Sequence, residues 1–375
     1  MSVPVIGIDA RMTRQMSVGM KIYVAEVVGR LPRVAPDLRF IAFTNAALQT
    51  HPDMGVVRLT ERESANASWG EQFTLPRAIG RIRPAMVHYC TPYAPRFSPY
   101  PYVYTIHDLI HLRFPAYHSW KIPFYYGLLV GPVARGAQGV FVPTRTTADD
   151  VKTLLHVDEQ RTHVVPLGVA EPFRLSETDR LAAGAAARQR FGLLKPYLLY
   201  AGNHRPHKNL KTLFEAWQRA AVPCDLVVTE DGPFGFDAGT VARQDRRLVQ
   251  LGHVAVRDLI GLYAGCAAAV QPSLYEGFGL AAAEAMAAGA PCIVAETPAL
   301  LEVVGVAALT FPPRDADALS RAIEKMLGDA AEAARRRESG RRRAASFAWD
   351  DAVRAIAGVY RQAIASSSPP VSGHG

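Results

Sequence analysis

Cysteine is scarce: Cys90, Cys224, Cys266 and Cys292 are the only four in 375 residues. They are scattered singly, three in apolar surroundings, which disfavours both a disulfide framework and a zinc site and leaves them as expected packing residues. No window joins eighteen apolar residues without Gly, Pro or charge, so no membrane-spanning helix is expected. Met1 to Asp9 has no basic start, and Asp9 closes a short strand, so it does not resemble a secretory signal and the chain is expected in the cytoplasm. No Gly-x-Gly-x-x-Gly follows the first strand, which argues against a nicotinamide dehydrogenase. Nor does an Asp-x-Asp stand at a strand end: Asp149-Asp150 begins a helix and Asp350-Asp351 lies near the C-terminus, so neither a metal ion nor another cofactor is expected.

Acidic residues are outnumbered, 34 against 42 Lys and Arg, for a formal charge of +8. A nucleotide diphosphate, an anionic membrane surface or a nucleic acid would each suit that balance. No RNA-recognition signature, zinc-finger spacing or isolated basic tail supports nucleic acid. The densest basic run, Arg335 to Arg343, reads as a solvated helix face.

At this length two domains are the natural expectation. Short apolar runs at Val5 to Ile8, Phe40 to Thr44, Met86 to Tyr89, Tyr102 to Ile106 and Gly139 to Val142 alternate with helical patterns. The alternation returns at Tyr197 to Ala201, Asp225 to Thr229, Leu248 to Leu251, Ala267 to Val270 and Cys292 to Ala295. It predicts an α/β chain of two Rossmann-like halves with parallel sheets. Val164 to Phe173 combines a strand with turn residues and suits the interdomain connection. The expected division is 1–168, 169–350, a C-terminal helix over 351–365 and a disordered tail over 366–375.

The most informative run is Ser273-Leu-Tyr-Glu-Gly-Phe-Gly-Leu-Ala-Ala-Ala-Glu284. It places Glu276 and Glu284 around a glycine-rich turn that opens an alanine-rich helix ending at Gly289. Gly277 and Gly279 let a ligand approach the backbone, and the unpaired amides of the helix start attract phosphate. Glu276 would repel phosphate, so it should face neutral hydroxyls, as should Glu284. The plainer reading is a solvated Glu276 and a Glu284 that merely charges a helix start. After the strand at Tyr197 comes Gly202-Asn-His-Arg-Pro-His-Lys-Asn-Leu210, with Arg205 and Lys208 where ligands bind an open α/β sheet. Two cations there can neutralise a diphosphate leaving group, or simply form a basic turn before the helix.

These two runs resemble the E-x7-E and G-x-x-x-P-x-K-N elements of family 4 of the retaining glycosyltransferases, which share the GT-B fold, two Rossmann-like domains facing each other across a cleft. The resemblance covers nearly the whole chain, most strongly Tyr197 to Gly305 and least from Thr50 to Pro84. It implies that Glu276 holds hydroxyls of the transferred sugar and Glu284 the ribose. The amides of Gly277, Phe278, Gly279 and Leu280 would meet phosphate and sugar, and Lys208, with Arg205, the diphosphate. Ala281 stands where many members have Pro. In Thr105-Ile-His107-Asp108, His107 implies a contact with the transferred sugar, where a lone His otherwise reads as structural, and Asp108 should orient a loop or the imidazole. Ser17 to Tyr23 is similar to the family's first phosphate-approaching turn, matching at Gly19 and Tyr23 but carrying Lys21 where the second glycine is usual. Leu251-Gly252-His253-Val254 resembles the base-reading loop, which implies Val254. In such proteins the last helix, here Trp349 to Ala365, returns to the first domain.

The implied function is metal-independent, retaining transfer of a hexose from a nucleotide-diphosphate sugar to a hydroxyl of a lipid-linked or polysaccharide acceptor, with no nucleic-acid partner. Among bacterial members the chain looks most like mannosyl and rhamnosyl transferases of O-antigen or exopolysaccharide assembly, which favours GDP-mannose or a related GDP-hexose. The alternatives are a UDP-glucose-type donor, a GT-B epimerase or hydrolase, or a nucleotide-binding regulator without turnover. A peripheral contact with the inner face of the cell membrane is expected through Arg77, Arg81 and Arg83, interleaved with Leu75, Ile79 and Ile82, unless that helix packs on its own domain.

Overall fold

The computed structural model describes residues 3–12, 16–64, 71–117, 119–230, 232–234 and 247–367. The chain divides into two compact units, Met1–Gly168 together with Trp349–Gly375, and Val169–Ala348. The first holds β1 (Val5–Asp9), β2 (Arg39–Thr44), β3 (Gly55–Arg58), β4 (Met86–Tyr89), β5 (Tyr102–Thr105), β6 (Gly139–Val142) and β7 (Thr162–Val164). They form one parallel sheet ordered β3-β2-β1-β4-β5-β6-β7. The second holds β8 (Tyr197–Tyr200), β9 (Asp225–Val228), β10 (Leu248–Gln250), β11 (Ala268–Gln271), β12 (Cys292–Ala295) and β13 (Leu309–Phe311), parallel in the order β10-β9-β8-β11-β12-β13.

Helices cover both faces of a parallel sheet, so its central strands read as continuous apolar runs rather than alternating ones. That is why β4, β6, β8 and β12, buried at every position, are legible in the sequence. The short edge strands β3 and β13 are not: each is partly exposed and too brief to form an apolar run. In the helix Leu210–Arg219, the residues Leu210, Leu213, Phe214 and Trp217 line one buried face, as their spacing predicts. Trp217 Nε1 donates to the Cys224 carbonyl at 2.8 Å, which satisfies its only polar atom. All four cysteines are free and buried, and burial pushes the thiols of Cys90, Cys266 and Cys292 up, away from reactivity.

The last helix, Trp349–Ser367, belongs to the first unit. Its Tyr360 hydroxyl lies 2.6 Å from His88 Nδ1, whose Nε2 lies 2.7 Å from Thr105 Oγ1. Arg361 pairs with Asp37, and Asp350 pairs with Arg30 and Arg33. Burial lowers the His88 imidazole to about 3, so it stays neutral in this relay. The chain enters the first unit at Trp349, slightly ahead of the expected boundary, because the buried Trp349 packs beside Tyr23 and fills the space a side chain at Gly168 would need. The helix also runs past Ala365 to Ser367, since Ser366 Oγ donates to the Gln362 carbonyl rather than ending the turn. The remaining tail lies outside the described residues.

Two expectations about basic residues are overturned. In the helix Glu71–Gly80, Leu75 and Ile79 are buried in the core and Ile82 beyond it packs on the same cluster, while Arg81 pairs with Glu63. Its apolar face is therefore covered by its own domain. The run from Arg335 is not merely solvated. Arg336 donates to the carbonyls of Val306 and Ala308, Arg337 to Gly289, Arg341 to Leu175, and Arg343 to Glu302 and Val303. The last of these satisfies carbonyls at the end of the helix Pro298–Val304, where a cation also meets the negative end of the dipole.

Candidate active site

In the second sheet the chain runs outward from β8 through β9 to β10, then returns to β11 on the other side of β8. The strand order reverses between β8 and β11, and at such a switch point the loops leaving the carboxyl ends diverge to form a crevice. Both motifs lie there. The loop after β8 carries Arg205 and the short 3-10 turn Pro206–Lys208, closed by Asn209 in the left-handed conformation. The loop after β11 carries Glu276 and leads into the helix Leu280–Ala287. Leu274 N–H donates to the His207 carbonyl at 2.8 Å and Asn209 Nδ2 to the Pro272 carbonyl at 3.1 Å, so the two loops are fastened to each other.

Lys208 Nζ lies 2.6 Å from Glu276 Oε1, with both side chains largely withdrawn from solvent. Gln271 Nε2 donates to the same carboxylate oxygen at 3.0 Å and also reaches Ser273 Oγ at 3.2 Å. Burial works to raise the Glu276 carboxyl. The Lys208 charge, with hydrogen bonds from Lys208, Ser273 and Gln271, outweighs it and holds the group below the usual carboxylate range. Gln271 and Ser273 were not singled out from the sequence. The signal was present, since Gln271 is a polar residue ending an otherwise apolar, fully buried strand.

Glu284 stands in contrast. It is on the helix Leu280–Ala287, and its side chain has no ion pair or hydrogen bond among the described residues. Burial alone pushes its carboxyl up to about 8. Gly279, at φ +95°, is the residue before that helix; a Cβ there would come 2.6 Å from Leu300 Cδ2. Gly277, Phe278 and Gly279 are buried and Leu280 half-buried. The Phe278 ring packs edge-on against Phe347 at 5.4 Å, which leaves its backbone rather than its side chain for a ligand.

The other expected residues are placed less centrally. Arg205 is exposed, and its side chain makes no ion pair among the described residues. Val254 is half-buried in the loop between β10 and the helix Val256–Gly265, after Gly252 at φ +66°. In the first unit, Gly19 lies in the first turn of the helix Val18–Val34, capped by Ser17, so the segment expected as an open turn is already helical. Lys21 is exposed on that helix. Tyr23 is buried: its hydroxyl is 3.0 Å from Thr105 Oγ1 and its ring meets His107 edge-on at 4.8 Å. His107 Nε2 lies 3.0 Å from the Cys90 carbonyl, which fixes a proton on that nitrogen, and burial lowers the imidazole. Asp108 Oδ1 accepts from Ile110 N–H at 3.1 Å, so it shapes the loop. Nearby, Arg11 is buried between Asp9 and Glu71, each at 2.7 Å.

Residues 18–171 match the family described as Glycosyltransferase Family 4, and residues 195–329 match Glycosyl transferases group 1. Each of the two units thus carries a segment that matches a glycosyltransferase domain family. It is 30% identical over 286 residues to an MMP alpha-(1->4)-mannosyltransferase of Mycolicibacterium hassiacum, a match covering 71% of this chain and 66% of that protein. It is 34% identical over 177 residues to the O-antigen chain mannosyltransferase B of Escherichia coli, covering 44% of this chain and 45% of the other. Among solved structures, a sucrose-phosphate synthase from Thermosynechococcus elongatus superposes with a TM-score of 0.74 at 20% identity, covering 98% of this chain and 100% of that one. The fold of the chain is GT-B, with a parallel α/β sheet in each domain. Among the described residues no group of three or more His, Cys, Asp or Glu side chains is placed to hold a metal ion. No described helix is long and apolar enough to cross a membrane.

Proposed function

We propose that this chain is a metal-independent, retaining hexosyltransferase that moves mannose or a related sugar from a GDP-sugar to a hydroxyl of a lipid-linked or polysaccharide acceptor at the inner face of the cell membrane. The observation that carries the reading is the Lys208–Glu276 pair at the switch point of the second sheet, beside the amides of Gly277 to Leu280. A cation and a helix start at one crevice suit a departing diphosphate, and a carboxylate beside them suits sugar hydroxyls. The half-buried, unpaired Glu284 would accept from the ribose, and Val254 would meet the base. Arg205 and His107 enter as the resemblance assigns them, to the diphosphate and to the transferred sugar.

In the reaction the bond from the sugar C1 to the phosphate oxygen breaks while the acceptor oxygen bonds C1 on the same face. The acceptor proton passes to the departing phosphate, which leaves as the nucleoside diphosphate. The mannosyl preference draws on the activities of the two mannosyltransferases that this chain resembles. A thermal-shift panel of GDP, UDP, ADP and dTDP tests the donor, since a ligand of the folded state raises the melting temperature. GDP should give the largest shift, and a larger shift with UDP would replace it. Product analysis with donor alone separates transfer from epimerisation or hydrolysis.

A further inference from the structure

Acidic residues are absent from Leu109 to Ala148, a stretch that carries Arg113, Lys121, Arg135 and Arg145. Within it the chain is helical over Ile122–Tyr125, widens to an i to i+5 turn over Tyr126–Val130, where Gly131 N–H reaches the Tyr126 carbonyl, and continues over Gly131–Gly136. One face is anchored: Tyr126 and Val130 are buried in the core, and Ile122 and Tyr125 pack against it. The opposite face is open. Trp120 is 74% exposed, Phe124 61%, Leu128 69% and Tyr117 44%. Trp120, in the turn just before the helix, Phe124 and Leu128 recur at four-residue intervals, close to one helical turn. The Trp120 and Phe124 rings meet edge-on at 6.1 Å, and the Lys121 ammonium stands 5.8 Å over the Trp120 ring.

We propose that this ridge is the surface by which the chain docks on an anionic lipid bilayer. Monomeric proteins rarely leave such an aromatic cluster in water. Tryptophan and tyrosine favour the boundary between headgroup and acyl chain, where an apolar ring and a polar edge are both satisfied. Lysine beside them keeps its ammonium at the phosphates while its stem lies along the rings. The charge complementarity selects the occupant: Arg113 is paired with Asp150, but Lys121 is exposed beside the rings, in a stretch that has no acidic residue of its own, and suits a negatively charged surface. The anchored inner face means that insertion of the outer one needs no unfolding. The proposal names the surface for the membrane location given above, and rests on that reading only for its purpose.

Flotation of the purified full chain with vesicles rich in phosphatidylglycerol tests it without donor or turnover, so its failure leaves the transferase reading standing. The wild type should float with these vesicles and much less with phosphatidylcholine alone. Trp120→Ser/Phe124→Ser should reduce partitioning about tenfold or more, whereas Val306→Ser, on an 89% exposed valine of the other unit, should leave it unchanged. Lys121→Glu should weaken binding to anionic vesicles alone. Both exposed-site variants should keep the wild-type circular dichroism and the wild-type thermal shift with nucleotide. Absence of flotation by the folded wild type, or equal flotation by the double variant, overturns the proposal. So does a dimer in sedimentation that the double variant dissociates without any vesicle binding, which would assign the ridge to a second copy of the chain.

Discussion

Lys208 and Glu276, 68 positions apart in sequence, are joined by a contact of 2.6 Å in which each neutralises the other. Any ligand whose diphosphate takes the lysine and whose hydroxyls take the carboxylate must therefore exchange partners within this pair. Because both groups are mostly buried, removing one leaves the other charged and poorly solvated.

Lys208→Ala should lower turnover by roughly 100-fold or more, the scale at which one preorganised charge at a developing anion acts. It should also lower the melting temperature, and Glu276→Gln introduced with it should restore part of that loss by removing the orphaned charge. A melting temperature in the double variant below that of Lys208→Ala would contradict the pairing argument, and wild-type rates in Lys208→Ala would remove the lysine from the mechanism.

Glu276→Gln should depress transfer far more than nucleoside-diphosphate affinity, whereas Glu284→Ala should weaken that affinity directly, by about 1.5 to 3 kcal/mol for a lost charged hydrogen bond once the pH exceeds about 8 and the carboxyl is ionised. Titration of the free diphosphate against each variant measures the split. Equal losses of affinity in both would merge the two roles.

The Glu284 carboxyl, raised by burial to about 8, makes stability depend on pH. Its folded value lies above its unfolded one, so the folded state holds the proton more tightly. The contribution is fully present below the unfolded value and is lost as pH rises toward about 8. Glu284→Gln, which cannot ionise, should raise the melting temperature near about pH 9 by several degrees and change it little near about pH 5. The same shift at both values would place the effect elsewhere. If ribose hydroxyls bind the carboxylate, nucleotide affinity of the wild type should rise through the same interval.

Gly279→Ala should destabilise the fold by about 1 to 3 kcal/mol, from a strained positive φ and the close approach to Leu300. It should also weaken nucleotide binding, because the helix start would move. Denaturant melts and a nucleotide titration check both effects, and a neutral result would mean that Leu300 yields.

A chelator should leave transfer unchanged, because Lys208 and the helix start are assigned the charge stabilisation that a metal could otherwise supply. Loss of activity restored by magnesium or manganese would reverse that assignment.

The candidate site was legible because it rests on local chemistry. A strand end, a glycine that must adopt a positive φ and an alanine-rich helix declare themselves within a dozen residues, as do Lys208 and the amphipathic helix after it. What sequence could not show was which apolar face finds a partner. The helix at Leu75 and Ile79 and the ridge at Trp120 and Phe124 both carry apolar residues among cations, yet the first is buried in its domain and the second is not.

Local pattern thus determined the α/β class, the central strands and the two loops that carry the proposed chemistry, because periodicity and turn residues act within a few residues of themselves. Tertiary structure alone decided that Gln271 and Lys208 share one carboxylate and that the late arginines bind carbonyls rather than water. It also decided that Glu284 loses enough solvent for its carboxyl to be pushed up. Burial and pairing are set by distant parts of the chain, and they determine the charge state of a group more strongly than its identity does.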